Sequence, residues 1–183
     1  MTRPVNLQPA DIRPSVDTVS ADLFRSVMGG FVTGVCIVAS AGEGGVPSGL
    51  TANSFTSVSL DPPLVSVCID LRSRSLPGLR RHGAFAISVL AADQVDLARA
   101  CAGRRMDWAA ADTLVWDTGA PILARAVAAL ECRTAAEHVA GDHVILLGQV
   151  VRLAWLRPDA APLTYHRGRY GAGPVDLGAA PAP

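Results

Sequence analysis

Between residues 19 and 170 the chain reads as short apolar runs punctuated by glycine, proline and acidic residues, the pattern of many strands joined by tight turns. The first periodic stretch is helical. Leu23, Phe24, Val27 and Met28 recur at the spacing of one helix face, Ser20 stands at the N-cap position, and Gly29-Gly30 stops the run. That face is expected to lie in the core. Residues 32–40, with Val35–Ala39 apolar throughout, read as a buried strand, residues 42–45 carry hairpin chemistry, and a second strand begins near Pro47. Asp61-Pro62-Pro63 ends the next segment, because proline cannot donate to a ladder, and residues 64–70 resume as a strand. A short helix is predicted over 75–81 with Pro77 in its first turn, then a strand over 84–90. A further helix begins at Asp93, with Leu97, Ala98 and Cys101 on its inner face.

From 126 to 138 the period becomes two: Ala128, Leu130, Cys132, Thr134 and Ala136 share one face and Glu131, Arg133 and Glu137 the other. This predicts a strand with one wet face. Gly141-Asp142 turns the chain, and 143–156 returns as a strand apolar on both faces with a bulge expected at Gly148. Such a strand predicts a barrel wall covered by a helix or by another subunit. Residues 104–121 hold Trp108 and Trp116 without clear period and predict a long excursion of the kind that covers a site. Residues 1–18 read as an extended N-terminal arm, 19–170 as one domain and 171–183 as a flexible tail. Many strands and three short helices favour an antiparallel barrel, closed or partly closed, over a doubly wound sheet; no G-x-G-x-x-G follows a strand.

The 183 residues suit a single core. Sixteen acidic and sixteen basic residues are scattered rather than blocked, which leaves no electrostatic footprint for nucleic acid. No apolar run approaches the ~20 residues of a spanning helix, and the N-terminus lacks the apolar core of a signal peptide. A cytoplasmic protein without membrane or nucleic-acid partners is expected. Every basic residue is arginine, which excludes a Schiff-base lysine and the lysine of a P-loop. Cys36, Cys68, Cys101 and Cys132 lie about thirty residues apart with no C-x-x-C pair, so zinc and iron–sulfur sites fail on spacing and no metal is expected. Buried free thiols are the default.

The segment SGLTANSFTSVSLDPP at 48–63 is dense in hydroxyls and holds Asn53, the only asparagine of the predicted domain. Hydroxyls, an amide and freed backbone N–H groups bind phosphate, ribityl and heterocycle edges without a lysine; the same composition also suits a surface loop that caps its own turns. RSRS at 72–75 opens a predicted short helix, where backbone N–H groups and a guanidinium make a phosphate receptor or, more blandly, a serine cap with solvated arginines. His143 follows a Gly-Asp turn, where a neutral imidazole donates to an amide carbonyl or ribose hydroxyl, or simply caps the hairpin. Tyr165 and Tyr170 suit core packing, and Arg167 and Arg169 solvated charge, as readily as they suit a site.

Five motifs, FVTGV (31–35), SGLTANSFTSVSLDPP (48–63), SRS (73–75), GDH (141–143) and YHRGRY (165–170), stand in the order and spacing of the flavin reductase family. The chain resembles those FMN-binding reductase components of two-component flavin-dependent monooxygenases over about residues 20–170. The resemblance implies a mainly β fold with short helices, a six-stranded antiparallel Greek-key split barrel that forms a homodimer with flavin at the subunit boundary. It implies an NAD(P)H:flavin oxidoreductase that takes hydride from NADH or NADPH to FMN or FAD and supplies a separate monooxygenase. By position, Pro47, Ser48, Gly49, Leu50 and Thr51 line the flavin, and Asn53 and Ser54 contact its polar parts. Cys68, Ile69 and Asp70 border the ring system, and Arg74 with Ser75 holds the phosphate.

His143 and the run Tyr165, His166, Arg167, Gly168 match positions used for the nicotinamide nucleotide. Where many family members carry Arg-Phe, this chain has Arg99-Ala100-Cys101, so a flavin contact is lost or shifts to Arg99 and the choice of FMN or FAD stays open. Hydride transfer needs no general acid at the nicotinamide carbon, so the catalytic contribution of His143 is positioning. The alternatives are a split-barrel flavoprotein that retains FMN and acts on an organic substrate itself, in a pocket shaped by 104–121, or one that only binds or stores flavin. Storage needs no nicotinamide site, which makes His143 and 165–168 the discriminating residues.

Overall fold

The computed structural model describes residues 19–103 and 106–173; the predicted arm at 1–18 and most of the predicted tail lie outside them. The seven strands of the main sheet are β2 (Cys36–Ser40), β3 (Ser48–Ala52), β4 (Thr56–Leu60), β5 (Pro63–Asp70), β6 (Ala84–Val89), β9 (Ala128–Ala140) and β10 (His143–Trp155). They pair antiparallel in the order β3-β2-β6-β9-β10-β5-β4. A second sheet joins β1 (Thr33–Gly34), β11 (Leu163–His166) and β12 (Arg169–Ala172), and β7 (Thr113–Val115) pairs with β8 (Pro121–Leu123). The helices are α1 (Ala21–Met28), α2 (Leu76–His82) and α3 (Val95–Ala102).

Both faces of the centre of the main sheet are covered. One face packs Cys36, Val38, Val67, Phe85, Ile87 and Leu146 against Leu76 and Leu79 of α2. The other packs Val35, Ile37 and Ala39 against Ala98 and Cys101 of α3 and Leu163 of β11. That is why β2 is buried at every position and its sequence is continuously apolar rather than alternating. The sheet curls until the free edge of β3 meets the end of β5: the Ser75 hydroxyl donates to the Gly49 carbonyl (2.8 Å), and the Ser54 hydroxyl bridges the Cys68 N–H and C=O, each at 3.0 Å. The fold is thus mainly β with few short helices. Against the expected six-stranded barrel, seven strands form one open ladder, and among the described residues no ladder closes β3 onto β4.

The β9–β10 register slips between Leu147 and Gly148. A Cβ at Gly148 would collide with the Phe85 ring and stand 2.9 Å from the Cys132 Cβ, so only glycine lets β10 cross there. Three other expectations fail. The apolar face of α1 is not in the core; none of its residues is buried, and Phe24 and Val27 are 58% and 66% exposed, because no described residue lies over them. The second half of β10 is bare too, with Leu153 and Trp155 at 65% and 71%; of the two covers expected for it, a helix or another subunit, no described helix supplies one.

Glu131, assigned to a wet face, is fully buried, because the 116–123 segment rather than solvent covers that side of β9. Three of the four free thiols are buried, Cys36, Cys101 and Cys132, but Cys68 is exposed although it sits on a strand.

Candidate functional site

β3 is an edge strand. Antiparallel alternation turns the N–H and C=O of Leu50 toward β2 and those of Gly49 and Thr51 away from it, and the Ser75–Gly49 bond confirms the outward direction. Along this free edge runs a cleft of about 600 Å³. Pro47, Ser48, Gly49, Leu50 and Thr51 form one wall, Asp70 and the turn 72–75 the facing one, and Cys101, Ala102, Met106 and Trp108 the end beneath α3. Thr51 is fixed by donating its hydroxyl to the Ala98 carbonyl of α3 (2.8 Å).

The facing wall is a braced turn. The Asp70 carboxylate accepts from the Arg72 N–H (2.7 Å), Nε (3.1 Å) and Nη2 (2.9 Å). These bonds, the guanidinium's first, hold the Asp70 carboxyl down to about 2. Leu71 N–H donates to the Asp142 carbonyl, and Ser75 N–H to the Ser73 hydroxyl. Arg72 is therefore spent on the turn itself. Arg74 is not: it is exposed, lines the cleft, and has no hydrogen bond or ion pair among the described residues. A free guanidinium beside the Ser73 hydroxyl is a receptor for a phosphate.

Two further hollows continue along the same strand. One of about 190 Å³ shares Thr51 and Ala102 with the cleft and is lined by Asn53, Tyr165 and Tyr170. The next, about 500 Å³ and largely apolar, shares Val35 and Asn53 with it and adds Ser54, Phe55, Phe31 and Val32. So Pro47, Ser48, Gly49, Leu50, Thr51, Asp70, Arg74 and Ser75 share the cleft, whereas Asn53 and Ser54 open onto the neighbouring hollows. Cys68 meets Ser54 through its backbone. Ile69 turns its side chain into the core and leaves only its backbone to a ligand.

His143 is the cross-strand partner of Asp70, with its Nδ1 2.7 Å from Asp142 Oδ1. That contact, ahead of the charge of His143, lowers the Asp142 carboxyl. Arg99 bonds Asp96 (3.1 Å) and stands 5.7 Å from the Tyr170 ring centroid; Tyr165 meets Tyr170 edge-on at 5.4 Å. Burial, followed by the Tyr165 neighbour, raises the Tyr170 phenol. His166, Arg167 and Gly168 form the exposed tip of the β11–β12 hairpin, with Arg167 and Gly168 at φ 46° and 76°, and Arg167 N–H donating to the Gly29 carbonyl (2.8 Å). That tip lies against the end of α1.

Sequence reasoning missed three contributors: Arg72 as the brace of Asp70, and Met106 and Trp108 as cleft wall. The alternation of RSRS gives no sign of which arginine the turn consumes. The sequence marks Trp108 as part of a long excursion and Gly49 as a flavin-lining position, but not that the indole rests on that glycine. Among the described residues no group of three or more His, Cys, Asp or Glu is placed to hold a metal ion. What the cleft offers instead is an anion clamp, a polar backbone edge, and an amide with a hydroxyl farther along, which together suit an elongated phosphorylated ligand with a hydrogen-bonding ring.

Comparison with known proteins agrees with that chemistry. A family model described as a flavin reductase like domain matches residues 28–174. SmoA of Agrobacterium fabrum, an NADH-dependent FMN reductase, is 43% identical over 151 residues, covering 81% of this chain and 83% of that one. The actinorhodin polyketide dimerase of Streptomyces coelicolor is 38% identical over 161 residues, 87% of this chain and 90% of that one. Among solved structures, the NADH:FAD oxidoreductase SgcE6 of Streptomyces globisporus, in complex with NAD and FAD fragments, matches with a TM-score of 0.82 at 37% identity over 91% of this chain and all of that one (100%). The chain belongs to the flavin reductase like domain family.

Proposed function

We propose that this protein is an NAD(P)H:flavin oxidoreductase that reduces FMN or FAD and passes the reduced flavin to a separate monooxygenase. The observation that carries the reading is the cleft on the free edge of β3, with Arg74 unengaged at its mouth and Asn53 and Ser54 farther along the same strand. Flavin, when bound, supplies the two-electron acceptor for the hydride of NADH or NADPH. Arg74 holds its phosphate from the turn that Ser75 ties to the Gly49 carbonyl, and the Asp70–Arg72 brace keeps that turn in place. The outward backbone groups of Gly49 and Thr51 serve the ribityl chain, and Asn53, Ser54 and the 68–70 backbone the rim of the ring.

His143 positions the nicotinamide, its Nδ1 held by Asp142 so that Nε2 is left for the carboxamide or a ribose hydroxyl. The Tyr165, His166, Arg167 and Gly168 hairpin is assigned to the same nucleotide.

The bare faces complete the reading. Phe31 and Val32 line the hollow that also holds Asn53 and Ser54, and they continue the exposed face of α1. A second copy of the chain laid on this surface forms a homodimer and excludes water from the ring end of the site. Strands β3, β2, β6, β9, β10 and β5 are then the six-stranded Greek-key split barrel, with β4 an added edge. Among the described residues no helix is long and apolar enough to cross a membrane, and the reading places the enzyme in the cytoplasm with its nucleotide substrates.

Two observations favour a second reading: Met106 and Trp108 wall the cleft, and a relative bears the name of a polyketide dimerase. A protein that keeps its flavin and acts on an organic substrate would use that wall as a substrate pocket. Mixing the protein with NADH or NADPH and free FMN or FAD, and following nicotinamide oxidation in the near ultraviolet, decides between them. Acceleration with at least one pair, and loss of yellow colour on desalting, is the expected result. No acceleration with any pair removes the reductase; colour that survives desalting favours the second reading or simple storage. His143→Ala is expected to raise KM for the nicotinamide nucleotide several-fold while flavin affinity holds, and the opposite pattern refutes the positioning role.

A further inference from the structure

Trp108 occupies a seat made for it. A Cβ on Gly49 would stand 2.7 Å from Trp108 Cζ2 and 3.0 Å from Cη2, so the indole rests directly on the β3 backbone where a side chain is missing. Its turn is fixed: the Asp107 carboxylate accepts from Ala109 N–H (3.0 Å) and Ala110 N–H (3.2 Å), and the Asp107 carbonyl from Ala111 N–H (3.1 Å). Half-buried against the α3 side of the core, the indole also lines the cleft.

Its place along the strand gives it meaning. Gly49, on which it rests, is also the residue whose carbonyl binds Ser75. Asn53, at the ring end, lies four residues onward, about 13 Å at the rise of a strand. The anion clamp and the indole of Trp108 therefore sit together at Gly49, and the ring end at Asn53 and Ser54 lies toward the other end of the strand. FMN ends at its phosphate and has nothing to put on the indole. FAD continues through a second phosphate to a purine.

We infer that Trp108 is the stacking platform for the adenine of FAD, and that it makes the cleft selective for FAD over FMN. The inference rests on the flavin reading of the cleft but not on turnover. Stacking of a base on an aromatic side chain contributes ~1–3 kcal/mol by alanine substitution.

The test is equilibrium binding of FAD and of FMN, each followed by flavin fluorescence without nicotinamide nucleotide, on the wild type, Trp108→Ala and Trp108→Phe, with circular dichroism to confirm folding. The wild type is expected to bind FAD more tightly than FMN. Trp108→Ala is expected to weaken FAD about tenfold and to bring it level with FMN, whereas Trp108→Phe, which keeps a stacking face, retains the FAD preference. If alanine substitution weakens FAD and FMN alike, or neither, Trp108 only shapes the loop and the inference fails. Selective FAD binding without nicotinamide oxidation would retain the inference and remove the reductase; nicotinamide oxidation with equal FAD and FMN affinities would do the reverse.

Discussion

Glu131 shows what a single residue can conceal. Alternation along β9 places it opposite Cys132 and beside Arg133, on the face that water should wet, yet it is 0% exposed. Its Oε1 accepts from the Thr118 N–H (2.6 Å) and the Thr118 hydroxyl (2.7 Å), and Oε2 has no partner among the described residues. The Thr118 carbonyl in turn lies 2.9 Å from His82 Nε2. Burial, with the Glu131 charge adding to it, pushes the neighbouring Cys132 thiol up to about 12. A period of two correctly announces a strand with a polar face; it does not say whether water or a loop bearing two donors meets that face. Glu131→Ala strands both Thr118 donors and is expected to cost about 2 kcal/mol. The readout is a lower urea midpoint at unchanged m-value, with Glu131→Gln less affected; an alanine variant as stable as the wild type would show that the loop is not pinned there.

The elements that the sequence makes plain are those whose signal is local: the Ser20 cap of α1, the glycine turn between β2 and β3, the proline stop before β5, and the slip at Gly148. β7 and β8, three residues each, are too short to carry a period, and β11–β12 shows in the sequence only as the YHRGRY motif, not as a hairpin. The turn from β5 into α2 was legible as a phosphate receptor in its composition but not in its wiring. Because the Asp70 carboxyl is held at about 2, below its ordinary 3.8, its contribution to stability is whole above 3.8 and is lost as pH falls through about 2. Across neutral pH the brace is therefore constant. Asp70→Asn is expected to lower the urea midpoint at pH 7 and to weaken flavin binding several-fold by loosening the turn that carries Arg74. The stability difference shrinks at pH 3; a gap that grows on acidification would mean that Asp70 is stabilised in its protonated form.

At the scale of the molecule, helical period reports that α1 has an apolar face without reporting what that face meets. The core is filled without it: α2 closes one face of the sheet and α3 the other. Leu23, Phe24, Val27 and Met28 are left exposed, beside Phe31 and Val32 at the hollow that holds Asn53 and Ser54. An apolar surface of this extent, continuous with one end of the site, is the kind that marks an interaction face, and the proposed homodimer uses it. The wild type is accordingly expected to sediment as a dimer, twice the 19.0 kDa chain. Phe24→Asp and Val27→Asp together alter residues already exposed in one protomer, so they should leave the far-ultraviolet circular dichroism intact while shifting the protein to monomer. Flavin affinity should fall with the dimer, because separation opens the ring end of the site to water. A wild type that sediments as a monomer and still binds flavin tightly would mean that one chain holds the whole site, and that the bare face of α1 serves some other contact.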